Sequence, residues 1–510
     1  MSRTDLVALA DRYDAVIVGG GITGAGILRE AVRTGARVLL VEQGDFASGT
    51  SSWSSKLVHG GLRYLKNGQW RLTLESVRER QRLLDEAPGL VEPLTFLMPL
   101  YEGVKPGRAT MRLGLWLYDR MAGQSASRWL ARDELLQREP DVRQSGLLGA
   151  MQYLDARTDD ARLVLRLMLE SVAAGGVALN YVQATLRSEG GRVVGVTLQD
   201  RLAGQTREIA AGVVINAGGA WAGDLPGAPA GAPRLRPLRG SHFVFPAQRL
   251  PLKQAVSWLH PRDRRPIFAY PWEGAVVYGT TDLDHGETLD APQMIAGEAE
   301  YLIEGLTHQF PQLGLKARDA VSTYAGVRPV VDGGKDDPSA ESRESAMWSA
   351  PGLVSITGGK LTTFRVTARQ VLREAARQLP MLAPLAEQAV FADAAALNPA
   401  QQRLFGRLGA DAASQLLAGS ATSELALIPG SPYAWAELRW AARRERVCHL
   451  DDLLMRRTRL GLVLPGGARD ILPQVQAICA EELGWDEAHW RFESARYLDH
   501  WQRRHAPPVA

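Results

Sequence analysis

The 510 residues of the chain are enough for roughly two to four domains. Its 59 basic and 56 acidic residues nearly balance, which gives no argument for nucleic-acid binding and does not oppose contact with an anionic membrane. Two cysteines far apart in the sequence indicate a reducing compartment without a disulfide framework. Residues 1–12 lack a signal-peptide core, and no later run is apolar over the roughly 18 residues of a spanning helix. We therefore expect any membrane contact to be peripheral.

Residues 13–42 predict a strand, a glycine-rich turn, a helix and a second strand. The apolar, β-branched run 14–18 is typical of a buried parallel strand, and 19–24 then have the G-x-G-x-x-G spacing of a dinucleotide-binding turn. Strand 37–41 ends at Glu42, where a carboxylate accepts a hydrogen bond from a ribose hydroxyl. Glycines at this spacing also occur in ordinary α/β domains, but here the full strand–turn–helix context accompanies them. The predicted cofactor contacts in this unit are Gly19, Gly21, Ile22, Thr23, Gly24 and Glu42.

A stretch rich in small and hydroxyl side chains, residues 44–56, follows directly. Its hydroxyls suit phosphate or ribose oxygens; the alternative is a plain surface loop, and the position behind the second strand favours the cofactor. Residues 59–65 combine two glycines with histidine, arginine and tyrosine, which leaves a ligand site and a structural role equally open. The candidate cofactor contacts here are Thr50, Ser51, Ser52, Lys56, His59 and Gly60, and the candidate substrate contacts are Arg63 and Tyr64.

Two later segments repeat the pattern of a strand that ends in small residues. Residues 213–221 predict a buried strand that ends close to a ligand, and residues 352–365 predict a strand, a glycine turn and a helix start. Their distance from residues 13–42 indicates one sheet assembled from separated pieces. The helix start has the polarity to stabilise the electron-rich end of a reduced flavin. The candidate contacts are Ala217, Gly218, Gly358, Gly359, Leu361 and Thr362.

Between these segments lies a predicted substrate region. His242 begins an apolar strand, Thr281 follows a strand that ends in hydroxyls, and Arg328 stands between small residues and a proline. A lone histidine in such a place is more often structural than catalytic. Residues 105–121 place tryptophan and tyrosine among aliphatic residues with basic flanks. That pattern fits an interfacial helix, although a buried amphipathic helix is more common.

After about residue 389 the chain becomes rich in alanine and leucine and predicts helices without buried strands. The basic runs 443–446 and 456–459 are interpreted as solvated helix faces or interdomain ion pairs. We expect residues 390–510 to form a helical domain. In residues 1–389 we expect a cofactor domain, in pieces of about 10–80, 155–225 and 345–389, interleaved with substrate-domain pieces of about 81–154 and 226–344.

Several strings occur in a distinctive order: GGGITGAG, TSSWSSKLVHGGLRYL, RGSHFVFP, YGTTD, YAGVRP, GGKLTTFR and LLMRRTRLG. In this order the chain closely resembles the FAD-dependent, quinone-linked glycerol-3-phosphate dehydrogenases. The resemblance implies an α/β fold (α+β overall): an interrupted Rossmann-like FAD-binding domain of the glutathione-reductase/amino-acid-oxidase type, a β-rich substrate domain and a C-terminal helical domain.

The resemblance also implies oxidation of sn-glycerol 3-phosphate to dihydroxyacetone phosphate, with hydride passing to FAD and electrons to a membrane quinone. The implied place is the cytoplasmic face of the membrane, with a homodimer as one expectation and no metal or nucleic acid. His242 is the implied general base, and Arg328 stabilises the alkoxide or the phosphate. The implied substrate contacts are Arg63, Tyr64, Thr281, Arg343 and Lys360. Two alternatives stay open: an amine-oxidising flavoenzyme that uses oxygen, and a non-catalytic flavin-binding module.

Overall fold

The structure is a computed structural model and describes residues 5–61, 69–290, 292–334, 341, 344–391 and 399–508. The strands are β1 Arg12–Val18, β2 Val38–Val41, β3 Leu57–Val58, β4 Val91–Tyr101, β5 Arg128–Ala131, β6 Leu147–Thr158, β7 Val177–Leu179, β8 Val182–Glu189, β9 Arg192–Asp200, β10 Thr206–Asn216, β11 Leu235–Pro246, β12 Ala255–Leu259, β13 Pro266–Trp272, β14 Ala275–Gly279, β15 Leu283–Asp284, β16 Ser322–Val331, β17 Ala346–Ala350 and β18 Leu353–Thr357.

The helices are α1 Ile22–Val32, α2 Trp70–Glu86, α3 Arg108–Ala122, α4 Arg132–Arg138, α5 Asp160–Ala173, α6 Ala296–Gln309, α7 Phe364–Ala376, α8 Pro399–Leu408, α9 Ala410–Gly419, α10 Trp435–Arg444, α11 Leu460–Val463, α12 Pro465–Ala468, α13 Leu472–Leu483 and α14 Glu487–Arg504. A π-helical turn covers Asp452–Arg457. None of the helices within the described ranges is both long and apolar enough to cross a membrane.

The first sheet has a parallel centre in the order β18-β10-β1-β2-β7. All four residues of β2 are buried, as a strand covered on both faces requires. Helices α1, α5 and α7 contribute the apolar residues on one face, while β8, β9 and the chain start contribute those on the other. Since β1, β10 and β18 come from three distant parts of the chain, the prediction of one sheet assembled from separated pieces is confirmed.

The second sheet is mostly antiparallel and runs β15-β11-β14-β13-β12-β4-β6-β3, with β16 also paired to β11 and β5 to β6. Helix α6 packs in the core on one face, and the C-terminal helices pack in the core on the other. Strand β11 lies between β14 and β16, and this register sets His242 opposite Gly279 on one side and Tyr324 on the other. The sheet thereby positions the residues of the predicted substrate region.

The C-terminal helices are joined to the rest of the chain by buried ion pairs. Arg457 pairs with Asp45, and Arg162 makes two hydrogen bonds of 2.7 Å to Glu445. A second group consists of Lys56, Asp159, Asp160, Arg407 and Arg459, which we call the buried ionic cluster. The basic run 456–459 therefore forms buried ion pairs with residues 45, 159 and 160 and is not a solvated helix face.

Candidate active site

A cavity of about 2820 Å³ opens where the two sheets meet the C-terminal helices. Its lining includes residues at the carboxyl ends of β1, β2 and β10, together with residues of β16 and the residues 280–282 that follow β14. The crevice outside the carboxyl ends of parallel strands is where α/β sheets bind dinucleotides. Typical small-ligand pockets measure about 300–1,000 Å³, so this cavity has room for a dinucleotide and a second molecule.

The glycine turn between β1 and α1 leaves no space for side chains. Gly19 has φ +116°, and a Cβ atom there would lie 2.4 Å from the Ala217 carbonyl oxygen. A Cβ atom on Gly24 would lie 1.9 Å from the carbonyl oxygen of Gly19. The first residues of α1, Ile22 and Thr23, line the cavity, so the positive end of the helix dipole faces it. A pyrophosphate fits this cradle.

Glu42 ends β2 with its carboxylate held in the cavity wall. One oxygen accepts from the Gly20 amide at 2.7 Å and the other from the Gly44 amide at 2.8 Å. Burial raises the pKa of Glu42, while these two donors oppose the rise. Each carboxylate oxygen has a further acceptor site, so the side chain still has acceptor capacity for ribose hydroxyls.

Most of the other predicted cofactor contacts also lie at this cavity. The lining residues among them are Thr50, Ser51, His59, Ala217, Gly218, Gly358, Gly359, Leu361 and Thr362. Ser51 Oγ accepts the amide of Ile22 at 2.9 Å and thereby caps α1. Ser52 is buried, and its hydroxyl has no hydrogen-bond partner among the described residues. Glycine cradle, helix start and carboxylate together fit a dinucleotide.

Lys56, also predicted as a cofactor contact, lies in the buried ionic cluster. Its ammonium donates to the Ser52 carbonyl oxygen at 2.7 Å and to Asp160 at 3.1 Å. Burial lowers the pKa of Lys56 to about 8, against the opposing effect of Asp160. Gly60 is likewise buried, where a Cβ atom would lie 2.3 Å from the Tyr118 hydroxyl oxygen. Lys56 and Gly60 are not among the described residues that line the cavity.

Two arginines lie on the wall of the cavity that β16 and the ends of β13 and β14 form. Arg328 donates to Asp282 at 2.8 Å, and Arg265 pairs with the other oxygen of Asp282 at 2.9 Å. All three residues line the cavity, and we call them the arginine wall. Arg328 extends across Gly240, where a Cβ atom would lie 2.5 Å from its Nη2 atom. Arg265 and Asp282 were absent from the predicted site, because only the sheet register brings them beside Arg328.

His242 lies beside this wall but has no exposed surface. Its Nε2 atom is 2.9 Å from Ser55 Oγ, and its ring stacks on Tyr324 with centroids 4.6 Å apart. Burial, reinforced by Arg328 and Lys56, holds the pKa of His242 well below its usual range. The ring is therefore neutral at neutral pH and has the protonation state of a base.

The remaining substrate candidates differ in what the structure shows of them. Thr281 lines the cavity, but its hydroxyl donates to Glu298 at 2.6 Å and accepts the Ser241 amide at 2.8 Å. Lys360 lines the cavity just before α7, with its ammonium 3.4 Å from Ser76 Oγ. Arg63, Tyr64 and Arg343 lie outside the described residues.

A dinucleotide cradle facing an arginine-lined wall with a neutral histidine defines a nucleotide-dependent oxidoreductase. The family model "FAD dependent oxidoreductase" matches residues 14–372, and "C-terminal domain of alpha-glycerophosphate oxidase" matches residues 367–490. The chain belongs to the FAD dependent oxidoreductase family, and its cofactor is FAD. The cofactor prediction is thus confirmed.

Similar proteins agree with this assignment. The aerobic glycerol-3-phosphate dehydrogenase of Staphylococcus haemolyticus is 39% identical over 377 residues, 72% of this chain and 68% of that protein. The enzyme of the same name from Bacillus subtilis is 40% identical over 367 residues, 71% of this chain and 66% of that protein. The structure of glycerol-3-phosphate dehydrogenase from Bacillus halodurans complexed with FAD superposes on this one with a TM-score of 0.76 at 29% sequence identity. The superposition covers 97% of this chain and 95% of the Bacillus halodurans chain.

Proposed function

We propose that this protein oxidises sn-glycerol 3-phosphate to dihydroxyacetone phosphate and passes the electrons to a membrane quinone. The observation that carries the proposal is the arginine wall beside a neutral His242, because an anionic alcohol needs fixed cations and a base. The names of the similar proteins support the same substrate.

The residues divide the chemistry between them. FAD, when bound, supplies the acceptor for the hydride that leaves C2 of the substrate. Arg328 stabilises negative charge that develops on the C2 oxygen, and the proton of the C2 hydroxyl goes to His242. Lys360, with Arg63 and Arg343, takes the substrate phosphate. The bidentate geometry of arginine suits a phosphate better than a single ammonium does.

The same proposal assigns the cofactor contacts. The turn 19–24 and the start of α1 hold the pyrophosphate, and Glu42 accepts from a ribose hydroxyl. The segment 358–362 approaches the flavin end, and the small residues Ala217 and Gly218 let the cofactor pass close to the backbone. The hydrogen bonds of 2.7 Å and 2.8 Å that Glu42 accepts support this assignment, since they hold its carboxylate in the cavity wall.

Turnover with defined substrates tests the function. The FAD-loaded protein should reduce a soluble quinone analogue when given sn-glycerol 3-phosphate, and should do so far more slowly with glycerol, which lacks the phosphate. Glycine serves as the test of an amine-oxidising enzyme. Quinone reduction with glycine but not with glycerol 3-phosphate would contradict the proposal. His242→Ala should keep its FAD and lose most of its turnover, and full turnover would remove His242 as the base.

Oxygen is a second candidate acceptor for the same substrate. The description of the family model that matches residues 367–490, an alpha-glycerophosphate oxidase domain, favours it. Hydrogen peroxide formation and quinone reduction are measured on the same substrate-reduced protein. Quinone reduction much faster than peroxide formation supports the dehydrogenase, and the reverse supports the oxidase.

We further propose that α3 attaches the protein to the cytoplasmic face of the membrane. Leu113 is 61% exposed and Trp116 is 50% exposed on this helix. The exposed Arg108, Arg112 and Arg120 lie on the same helix. Apolar side chains flanked by arginines suit the headgroup region of an anionic bilayer. Leu113 and Arg108 also line the cavity, which would open it toward membrane quinone.

Vesicle sedimentation tests this surface. A Leu113→Ala/Trp116→Ala double variant should bind vesicles of phosphatidylglycerol and phosphatidylcholine several-fold more weakly than the unaltered protein. Phe492→Ala is the matched control, since Phe492 is 63% exposed but lies on α14. Equal loss of binding in the control would remove α3 as the attachment surface.

Domain boundaries and assembly complete the proposal. We retain residues 1–389 as the interleaved FAD-binding and substrate domains and 390–510 as the helical domain. A homodimer stays a prediction, which sedimentation velocity of the FAD-loaded protein checks.

A further inference from the structure

The proposed base is out of reach of the cavity. His242 has no exposed surface and is packed between its strand neighbours, where even a Cβ atom on Gly279 would lie 2.5 Å from its ring. A general base must be within hydrogen-bond reach of the proton that it removes. A substrate in the cavity therefore needs an intermediate group between its hydroxyl and the histidine.

Ser55 has the position of that group. Its hydroxyl oxygen is 2.9 Å from His242 Nε2, and the residue lines the cavity. A serine hydroxyl both donates and accepts, so it can give its own hydrogen to the ring while it accepts another from the cavity side. No other contact between His242 and a cavity-lining hydroxyl is seen in the described part of the chain.

The surrounding structure holds both partners in place. The Tyr270 hydroxyl donates to the Ser55 carbonyl oxygen, and the Tyr324 hydroxyl donates to that of Ser54 at 3.1 Å. Tyr324 also stacks on the His242 ring at an interplanar angle of 11°. Tyr324 thus contacts both the backbone beside Ser55 and the His242 ring, and a proton-transfer pair needs its partners held in place in this way.

We propose that Ser55 accepts the proton of the substrate's C2 hydroxyl while it passes its own proton to His242 Nε2. The inference rests on the proposed function. As the C2 hydride leaves, the O–H bond of the substrate breaks and a new O–H bond forms on Ser55, while the original O–H bond of Ser55 breaks and an N–H bond forms at Nε2 of the neutral ring. After the product leaves, the proton returns through Ser55 to the solvent, and His242 is neutral again.

The cations around His242 make the relay respond to the substrate. Burial has the largest effect in lowering the pKa of His242. The positive charges of Arg328, Lys56 and Arg265 lower it further, and Arg328 has the largest effect of the three. Negative charge that develops on the substrate's C2 oxygen beside Arg328 offsets their effect. The histidine therefore becomes a better proton acceptor when the substrate is present.

Anaerobic flavin reduction by sn-glycerol 3-phosphate tests the relay. Ser55→Ala should keep its FAD and be reduced on the order of a hundredfold more slowly. Its rate should rise about tenfold per pH unit, because hydroxide replaces the lost acceptor. Ser55→Thr keeps a hydroxyl and should retain most of the rate, and Ser349→Ala, an exposed serine on β17, is the matched control.

Each outcome separates the relay from the function. Reduction of Ser55→Ala at the unaltered rate, with an unaltered pH profile, overturns the relay alone. A Ser55→Thr variant that holds FAD but is as slow as Ser55→Ala also overturns it, as does loss of FAD from both variants, which would make the contact architectural. No reduction of the unaltered protein contradicts the proposed function instead.

Discussion

The arginine wall and the buried ionic cluster both contain arginine–aspartate pairs, but the first lies at the cavity and the second is buried in the protein. In the wall, the side chain of Arg328 is 22% exposed and faces the cavity, and its carboxylate partner Asp282 is buried. In the cluster, Arg459 and both of its aspartate partners have no exposed side-chain surface. An arginine at a cavity can meet a ligand, whereas an arginine sealed from solvent can only hold the protein together.

The two regions also differ in what they join. The wall combines β13, β14 and β16 and their connections, which belong to one sheet. The cluster joins Lys56, which precedes β3, to the start of α5 and to the C-terminal helical segment. Removing one partner of a buried pair leaves an uncompensated charge, so the cluster is where substitutions should unfold the protein.

The largest expected effect is on stability. Arg459→Met leaves Asp159 and Asp160 with fewer buried partners and should lower the free energy of unfolding by about 3–5 kcal/mol. Denaturant unfolding of the FAD-free protein measures it. Arg491→Met is the control, because Arg491 is 76% exposed in an i,i+4 pair, and such a pair contributes about 0.3–0.5 kcal/mol. Equal losses of unfolding free energy in Arg459→Met and Arg491→Met would contradict the structural role of the buried ionic cluster.

Substitution in the arginine wall should lower the catalytic rate strongly and the stability little. Arg328→Ala should lower the kcat/KM for glycerol 3-phosphate by about 10²–10³-fold, since it removes a donor to the developing alkoxide. Arg328→Lys restores the charge but not the paired geometry, and should recover only part of the rate. Both variants should unfold at close to the unaltered denaturant concentration. A stable, fully active Arg328→Ala protein would exclude Arg328 from the site.

A smaller effect is expected on the pH dependence of stability in acid. The arginines Arg457 and Arg456 outweigh burial and lower the pKa of Asp45 from 3.8 to about 2. That difference corresponds to about 2 kcal/mol of stability, fully present above pH 3.8 and lost as the pH falls through about 2. Asp45→Asn should therefore lose less stability than the unaltered protein between pH 4 and pH 2. Asp133→Asn, at a 90% exposed carboxylate, should show the unaltered pH dependence.

The smallest expected effect is on the affinity for FAD when a residue of the buried ionic cluster is substituted. Lys56→Met should change the affinity for FAD little, because the Lys56 ammonium lies within the cluster and Asp160 keeps Arg459 and Ser54 as partners. Fluorescence titration of the cofactor-free protein measures the affinity. Loss of FAD binding without loss of stability would support Lys56 as a cofactor contact, which is the prediction from the sequence.

The sequence was informative where the structure is local. The turn 19–24 and Glu42 follow one another in a single strand–turn–helix–strand unit, and each glycine has a steric reason within it. The pairing of His242 with Ser55 spans 187 positions, and that of Arg328 with Asp282 spans 46. Neither follows from spacing along the chain, because each joins residues from segments that only the tertiary fold brings together.

Lys56 is a second case in which sequence alone could not predict a side chain's partner. It stands in a hydroxyl-rich stretch that suits a cofactor loop, and its neighbours Thr50 and Ser51 do line the cavity. Its side chain turns instead toward Asp160, which is 104 positions away. Composition indicates a cofactor loop, but it could not predict that the Lys56 side chain is directed toward a distant carboxylate.

The most direct test of the account is single-turnover reduction of the bound flavin. The FAD-loaded protein is mixed anaerobically with sn-glycerol 3-phosphate, and the flavin absorbance is followed with time. We predict rapid bleaching with this substrate and, at equal concentration, little with glycerol. Absence of bleaching in a protein that carries its full complement of FAD would contradict the account.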